Sequence, residues 1–432
     1  MQRTSYKIHI ETISEFKTQL LQWAQQFKNA VWLDSNNYPQ KQSSFDAVLA
    51  VDAISKIETS YTNAFQQLKE YQSTVNDYIF GYLGYDLKND VENLTSSNYD
   101  GLHFPDLFFF QPKKIFLIKN NTLEIKYISN CTDEIDHDLK NIQSAAYSQQ
   151  PANNSIKIKL RIHKDEYYKK LNSLLNHIHR GDIYEANFCQ EFYSENTTIN
   201  PLEVYQNLNE ISIPPFATFL KMNNNYLLSA SPERYLKKEG ELVISQPIKG
   251  TEKRATTKEE DLKLILALEK NPKERAENIM IVDLVRNDLS RFAIKGSVKV
   301  DELCKVYTFK QVHQLISTVS CKVKSTTHPV DIVKATFPMG SMTGAPKISA
   351  LKIIEELEET KRGLYSGAVG YFTPTGDFDF NVIIRSILYN ATKKYVSYSV
   401  GGAITAQSTP EKEYEECLLK AKAMKQVLLN TK

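Results

Sequence analysis

The sequence predicts an α+β fold built on antiparallel sheets. Three observations carry that reading. Segments rich in β-branched and aromatic residues mostly follow one another directly, instead of alternating with helices as in a Rossmann or barrel fold. Helical periodicity is confined to separate stretches with recognisable caps. The 432 residues, 41% apolar and 24% charged, supply a large core, enough for one large domain or two to three ordinary ones.

The first helix is expected over 11–29, where Ile13, Phe16, Leu20, Leu21, Trp23 and Phe27 roughly follow a 3.6-residue period. Ala30–Ser35 reads as a short strand running into a polar turn. The aromatic runs 78–86 and Leu107–Phe110 are β-prone, and Lys114–Ile118 and Leu123–Ile128 read as strands joined at Asn120-Asn121. Polar residues over 140–156 make the best linker, which divides the chain into a strand-rich region, 1–150, and a region holding the chemistry, 151–432. Tyr167, Leu171, Leu174, Leu175 and Ile178 form one face of a helix that Gly181 can close. Strands are expected at Ile183–Phe188, Ala217–Lys221, Tyr226–Ser229 and Leu242–Ile248. Thr257 and Glu260 form a possible capping box, and Pro272 suits the first turn of a helix running to about Leu289. Later helices are expected over Ile332–Phe337, Pro346–Glu359 and Pro410–Leu429. Gly367–Phe372, Val382–Leu388 and Tyr395–Val400 read as strands.

Composition excludes several function classes. The net charge is +2 and the basic residues are scattered, so neither nucleic acid nor a membrane surface is an expected partner. The N-terminus has no signal-like apolar region and no stretch approaches a membrane span, so a cytoplasmic protein is expected. Five cysteines (131, 189, 304, 321 and 417), odd in number and without CxxC spacing, read as reduced thiols and argue against zinc.

The chemistry gathers around one lysine. In Ser245-Gln246-Pro247-Ile248-Lys249-Gly250-Thr251, Lys249 ends a strand-like run just before a glycine turn. A lysine becomes nucleophilic when burial or nearby cations lower its pKa; a solvated strand end leaves it an ordinary surface lysine. Both readings fit the stretch alone. Gly250 lets a ligand approach the backbone, and Thr251 offers a hydroxyl. Glu233, in the turn Ser231-Pro232-Glu233-Arg234, is either a general acid or base or the partner of Arg234. Glu274 and Glu277 share a helix face, as do Glu413 and Glu416, with Thr409 placed to cap the second helix. Two such pairs facing each other make a hard oxygen site suited to Mg²⁺; separately they are solvated faces, and Glu416 with Lys420 is a possible i,i+4 salt bridge. The small-residue loop 340–346, containing Ser341, precedes a helix and suits an anion, with a carboxylate the better guess. Arg385 in an apolar strand calls for an anionic partner, and Gly401-Gly402-Ala403 offers backbone amides. His313 reads as a structural or a site histidine.

Taken together, these segments carry a resemblance. Pro247–Thr251, Ile281-Val282-Asp283-Leu284-Val285-Arg286-Asn287-Asp288-Leu289, Gly344-Ala345-Pro346-Lys347, Gly363–Tyr371 and Gly401–Ile404 occur in the order found in chorismate-utilising enzymes. The chain resembles anthranilate synthase component I and, more closely, aminodeoxychorismate synthase component I, specifically over about 180–425 and more weakly before, at Trp32-Leu33-Asp34-Ser35 and Gly81–Tyr85. The aminodeoxychorismate enzymes carry Lys at the position of Lys249, where anthranilate synthases usually carry Ala. The resemblance implies two large antiparallel sheets packed as a sandwich with helices outside, and amination of chorismate at C4 on the route to p-aminobenzoate and folate. It implies Lys249 as covalent nucleophile at C2 and Glu233 as general acid. Glu274, Glu277, Glu413 and Glu416 match Mg²⁺ carboxylates. Lys420 and Gly401–Ala403 match carboxylate contacts, Arg385 and Tyr365 match groups around the enolpyruvyl side chain, and Gly250, Thr251, His313 and Ser341 complete the site. Ammonia is expected from a separate glutamine amidotransferase subunit. Two positions depart from the pattern: Glu185, where many relatives have Gln, and Gln407, where Asp is common.

Overall fold

The computed structural model describes residues 2–38, 44–145, 156–310 and 312–430. Most of the expected linker, 146–155, lies outside them; the helix Ile135–Ser144 fills its beginning. Every ladder between the strands is antiparallel, and together they make two sheets that share two long strands, Ala47–Thr59 and Leu107–Lys119.

The two long strands pair along their whole length, with a register shift near Ala53 where Asp52 adopts a left-handed φ of 63°. A bulge of this kind bends and twists a ladder. On one side of it, Leu107–Lys119 pairs with Thr122–Ile128, which pairs with Arg3–His9. From Ala47–Thr59 the first sheet continues through Asn29–Asp34, Phe216–Met222, Asn225–Ser231, Ser386–Asn390, Tyr395–Ile404 and Glu185–Ser194. Short strands Lys159–Leu160 and Gly344–Ala345 close its outer edge. On the other side of the bulge, the second sheet runs from Leu107–Lys119 through Ile79–Leu83, Ala368–Phe372, Phe378–Val382, Arg234–Glu239 and Leu242–Gln246 to Val312–Lys322, which Ile248–Lys253 and Lys299–Thr308 also flank.

Alternation along the strands builds the layers. Val31, Val48 and Ala50 turn inward to a core shared with Phe80, Tyr82, Phe108, Phe110 and Phe380 of the second sheet. Their neighbours Trp32, Leu49 and Val51 turn outward against Phe16, Leu20 and Leu21 of Ile13–Trp23, Tyr205 of Pro201–Ser212, and Met424 of Pro410–Leu429. A period of two thus buries both faces of the first sheet, one on strands and one on helices. The fold is the expected α+β sandwich. Strands from before residue 150 lie inside both sheets: Asn29–Asp34 pairs with Phe216–Met222, and Ile79–Leu83 with Ala368–Phe372.

Several elements differ from expectation. The first helix ends at Trp23, because its last residues tighten into a 3₁₀ turn before Asn29–Asp34 enters the sheet. Leu242–Ile248 is two strands, broken at Pro247, which has no N–H to give a ladder. Val382–Leu388 is also two. Ile383, Ile384 and Arg385 form the connection that carries the chain from the second sheet to the first, with Arg385 at a left-handed φ of 52°. Pro232 and Glu233 carry it in the other direction, from Asn225–Ser231 to Arg234–Glu239. The two crossings are stitched together: Val382 N donates to Glu233 O at 3.0 Å, and Ala230 N donates to Arg385 O at 3.1 Å.

Candidate active site

The crossings bring the backbones of Glu233 and Arg385 together, and a third break brings Lys249 within reach of the Glu233 charge. The ladder between Ile248–Lys253 and Val312–Lys322 skips Lys249 and Gly250, so the strand bulges there. Gly250 takes a φ of 89°, a conformation that favours glycine, and lies against Glu274: a Cβ on it would stand 3.1 Å from Glu274 Oε2. Asn278, from the helix Pro272–Ser290, donates to Lys249 O at 3.4 Å and Leu315 O at 3.2 Å, tying the bulge to the helix that carries the acids.

The Lys249 side chain is 11% exposed, and its Nζ meets Glu185 Oε1 at 2.9 Å. Burial acts to lower the ammonium pKa, but Glu185, Glu277 and Glu233 outweigh it and raise it. This corrects the expectation of a lysine depressed by its surroundings: the resting side chain is an ammonium held by carboxylates. Glu233 is not Arg234's partner, since Arg234 pairs with Asp379 at 2.9 Å. Burial lifts Glu233 from 4.5 to about 7, against hydrogen bonds from Ser341 and the Ile248 backbone and the charge of Lys249. Ser341 lies in the 3₁₀ turn Gly340–Met342, and a void of about 20 Å³ touches both it and Glu233.

The two helices deliver the other acids. Asn271 caps Pro272–Ser290 by accepting from Lys273 N and Glu274 N. Thr409 occupies the cap position of Pro410–Leu429, but its side chain makes no cap bond; its carbonyl accepts from Glu413 N. Burial raises Glu277 to about 7, aided by Glu274 and Glu185 and opposed by Lys249 and Lys273. Burial also raises Glu274 and Glu413, each pushed further by Glu416. Glu416 alone is lowered, first by Lys420, whose Nζ lies 2.6 Å from its Oε1. Among the described residues, no three acidic, imidazole or thiol side chains stand together as a ready-made ion cage.

The strand Tyr395–Ile404 completes the wall. Lys420 Nζ donates to Gly401 O at 2.9 Å, and a Cβ on Gly402 would stand 3.1 Å from Glu413 Oε2. Past Ser397 the edge of this strand facing away from Glu185–Ser194, which runs along Gly401–Ala403, has no ladder partner among the described residues. The Arg385 guanidinium makes no hydrogen bond or ion pair among the described residues; Tyr365 and Glu416 act on it only through space. Tyr365 is buried, its hydroxyl accepting from Cys189 Sγ at 3.8 Å.

Not every candidate joins this group. His313 is fully buried with both ring nitrogens occupied, by Asp261 at 2.8 Å and Thr308 at 2.9 Å. Thr251 is exposed beyond the bulge, and Gln407 lies exposed in the turn before Pro410–Leu429. Sequence reasoning missed Asn278, whose bonds to two strands give no local signal, and singled out Glu185 only as a departure. A cavity of about 400 Å³ opens near Pro232 and Ile248, lined by Tyr38, Phe216, Arg234, Gln246, Glu302 and Phe309 among others, and no candidate residue lines it. The candidate groups gather elsewhere.

A chorismate binding enzyme family profile matches residues 23–426. An anthranilate synthase component I-like protein of Synechocystis is 37% identical over 80% of this chain and 71% of its own length. Aminodeoxychorismate synthase component 1 of Bacillus subtilis is 33% identical over 81% of this chain and 76% of its own. Aminodeoxychorismate synthase of Streptomyces griseus is 43% identical over 63% of this chain, which spans only 37% of that protein. Anthranilate synthase component I from Streptococcus pneumoniae superposes with a TM-score of 0.78 at 25% identity, covering 90% of this chain and 94% of that one. With the profile spanning nearly the whole chain and the sandwich shared with a solved relative, the chain belongs to the chorismate binding enzyme family.

Proposed function

We propose that the chain is the synthase component of an aminodeoxychorismate synthase, replacing the 4-hydroxyl of chorismate with ammonia to give 4-amino-4-deoxychorismate. The observation that carries the reading is Lys249 in the same buried cleft as Glu233, a carboxyl group still half protonated near pH 7. A nucleophile and a proton donor are what expulsion of a hydroxyl requires. With its ammonium proton removed, Lys249 Nζ attacks C2, both ring double bonds shift one place toward C4, and the C4–O bond breaks as Glu233 protonates the departing oxygen. Ammonia then adds at C4 and gives up a proton to the Glu233 carboxylate, both double bonds shift back, and the C2–N bond breaks with its electron pair staying on Nζ to return Lys249. Arg385, unpaired among the described residues, and the edge along Gly401–Ala403 that has no ladder partner among them supply contacts for the two substrate carboxylates.

The acidic residues fit Mg²⁺ by their chemistry. They are hard oxygen donors, three are raised by burial and Glu416, itself half-exposed, is held by Lys420, so a divalent cation would relieve their repulsion. Glu274, Glu277, Glu413 and Glu416 would hold the ion, which would supply positive charge for the ring carboxylate. A separate glutamine amidotransferase subunit is the proposed ammonia source; relatives named as a component 1 support a second component. Among the described residues no helix is long and apolar enough to cross a membrane.

Incubation with chorismate, Mg²⁺ and ammonium, followed by mass spectrometry, tests the reading. Aminodeoxychorismate is the expected product. The similarity to anthranilate synthase component I makes anthranilate the competing outcome, and anthranilate as main product would sink the proposal.

A further inference from the structure

Glu185 opens the strand Glu185–Ser194, opposite Ala345 of the short edge strand. Gly344 packs so closely there that a Cβ would fall 2.1 Å from the Glu185 carbonyl oxygen, which fixes the backbone of the acid. The side chain is 2% exposed. Its Oε1 takes the Lys249 ammonium at 2.9 Å, and its Oε2 is buried without a hydrogen-bond partner among the described residues. Among those residues Lys249 Nζ has no second hydrogen-bond partner. Glu277 and Glu233 face it through space, and Glu274 and Glu416 feel its charge.

We propose that Glu185 is the base that frees Lys249 for attack, taking the ammonium proton along their direct hydrogen bond. The inference rests on the reading of Lys249 as nucleophile. The N–H bond breaks, its electron pair stays on Nζ, and an O–H bond forms on Glu185. The pair is neutral overall before and after, so no proton has to reach solvent. Filling the cleft with substrate removes remaining water and raises the desolvation cost of the ionised pair, which favours the transfer. When the C2–N bond breaks later, the same oxygen returns the proton. Burial alone acts to lower the lysine, and Glu185 is the largest influence opposing it.

The test is the ratio of kcat/KM for Glu185→Gln to that of the parent protein, measured from pH 6 to 9 with ammonium; taking the ratio cancels the titration of ammonia and of Glu233. Gln cannot take the proton, so Lys249 must lose it to solvent. The ratio is expected to be well below one near neutrality and to rise about tenfold per pH unit until Lys249 titrates. Competitive labelling of Lys249 with acetic anhydride is expected to show its midpoint shifted to lower pH in the variant. A ratio that stays flat with pH overturns the proposal. Should Glu185→Gln not fold, Glu185→Asp serves: it keeps a base at a longer distance, so kcat falls while the ratio stays flat, and a rising ratio there overturns the inference. Product identification with the parent protein keeps the two claims apart. Anthranilate defeats the proposed function, whereas the aminated product with a flat Glu185→Gln ratio defeats Glu185 alone.

Discussion

Two of the lysine–glutamate pairs in the cleft are similar in length and different in character. Lys249 and Glu185 lie 64 residues apart in sequence, on strands of different sheets, with side chains 11% and 2% exposed. Lys420 and Glu416 are one helical turn apart, with side chains 25% and 50% exposed. The second pair is the shorter, at 2.6 Å against 2.9 Å. Distance therefore does not rank them. An exposed i,i+4 pair contributes about 0.3–0.5 kcal/mol and opens readily. Removing one partner of a buried pair leaves an uncompensated charge, at a cost of about 3–5 kcal/mol. Fixed geometry belongs to the strand side of the cleft, where a bond would form, and adaptable charge to the helix side, where a cation would come and go.

Substitutions that break this contrast should differ in size and kind. The largest effect is expected from Lys249→Ala: turnover with chorismate and ammonium should fall by about 10³-fold or more, and no Mg²⁺ concentration should restore it. Unchanged turnover would remove the nucleophile from the scheme and leave the family assignment standing. Glu233→Gln should lower kcat by about 10²–10⁴-fold. Its pH profile is the sharper reading. Burial raises Glu233 to about 7 and the acid form is the working form, so parent activity should decline above pH 7 through this group, and that limb should vanish in the variant.

Helix-side changes should move affinity more than rate. Glu277→Gln or Glu416→Gln should raise the Mg²⁺ requirement by about 10–100-fold, with kcat largely recovered at saturating metal; an unaltered Mg²⁺ titration contradicts the metal assignment. Glu277 must lose its proton to hold a cation and is raised to about 7, so the Mg²⁺ requirement of the parent should ease as pH rises through 7. The smallest effect is expected from Gly402→Ala, whose Cβ would press on Glu413 Oε2 at 3.1 Å; a few-fold rise in KM, read from initial rates, is expected because a flexible carboxylate can give way.

How far each part could be read depended on how local its physics is. Pro410–Leu429 runs over the residues that its Thr-Pro start and apolar spacing indicate, and the hairpin turns at Asn120, left-handed at φ 52°. Arg234–Glu239 gave no signal, because it buries Arg234, Lys237 and Lys238. Those charges are tolerated through partners such as Asp379 and Asp377, more than a hundred residues away. Val312–Lys322 was hidden for a related reason: burying His313, Gln314, Ser317, Thr318 and Ser320 blurs the alternation by which a strand is recognised.

The sequence by itself determined which residues stand as candidates for the chemistry, since Lys249, Glu233, the two spaced acid pairs and the glycines are local choices of side chain and backbone freedom. It also determined the helices that present those acids, because i,i+3 spacing sets a common face without help from elsewhere. Only the tertiary structure decided the company each keeps. Val382–Leu388 was broken into two strands so that Arg385 could turn between the sheets, His313 was tied to Asp261 and Thr308, and Lys249 was given to Glu185. The physical reason is that a charge taken out of water must find a partner, and in a sandwich of antiparallel strands the available partner is set by sheet order and register, which no short stretch of sequence encodes.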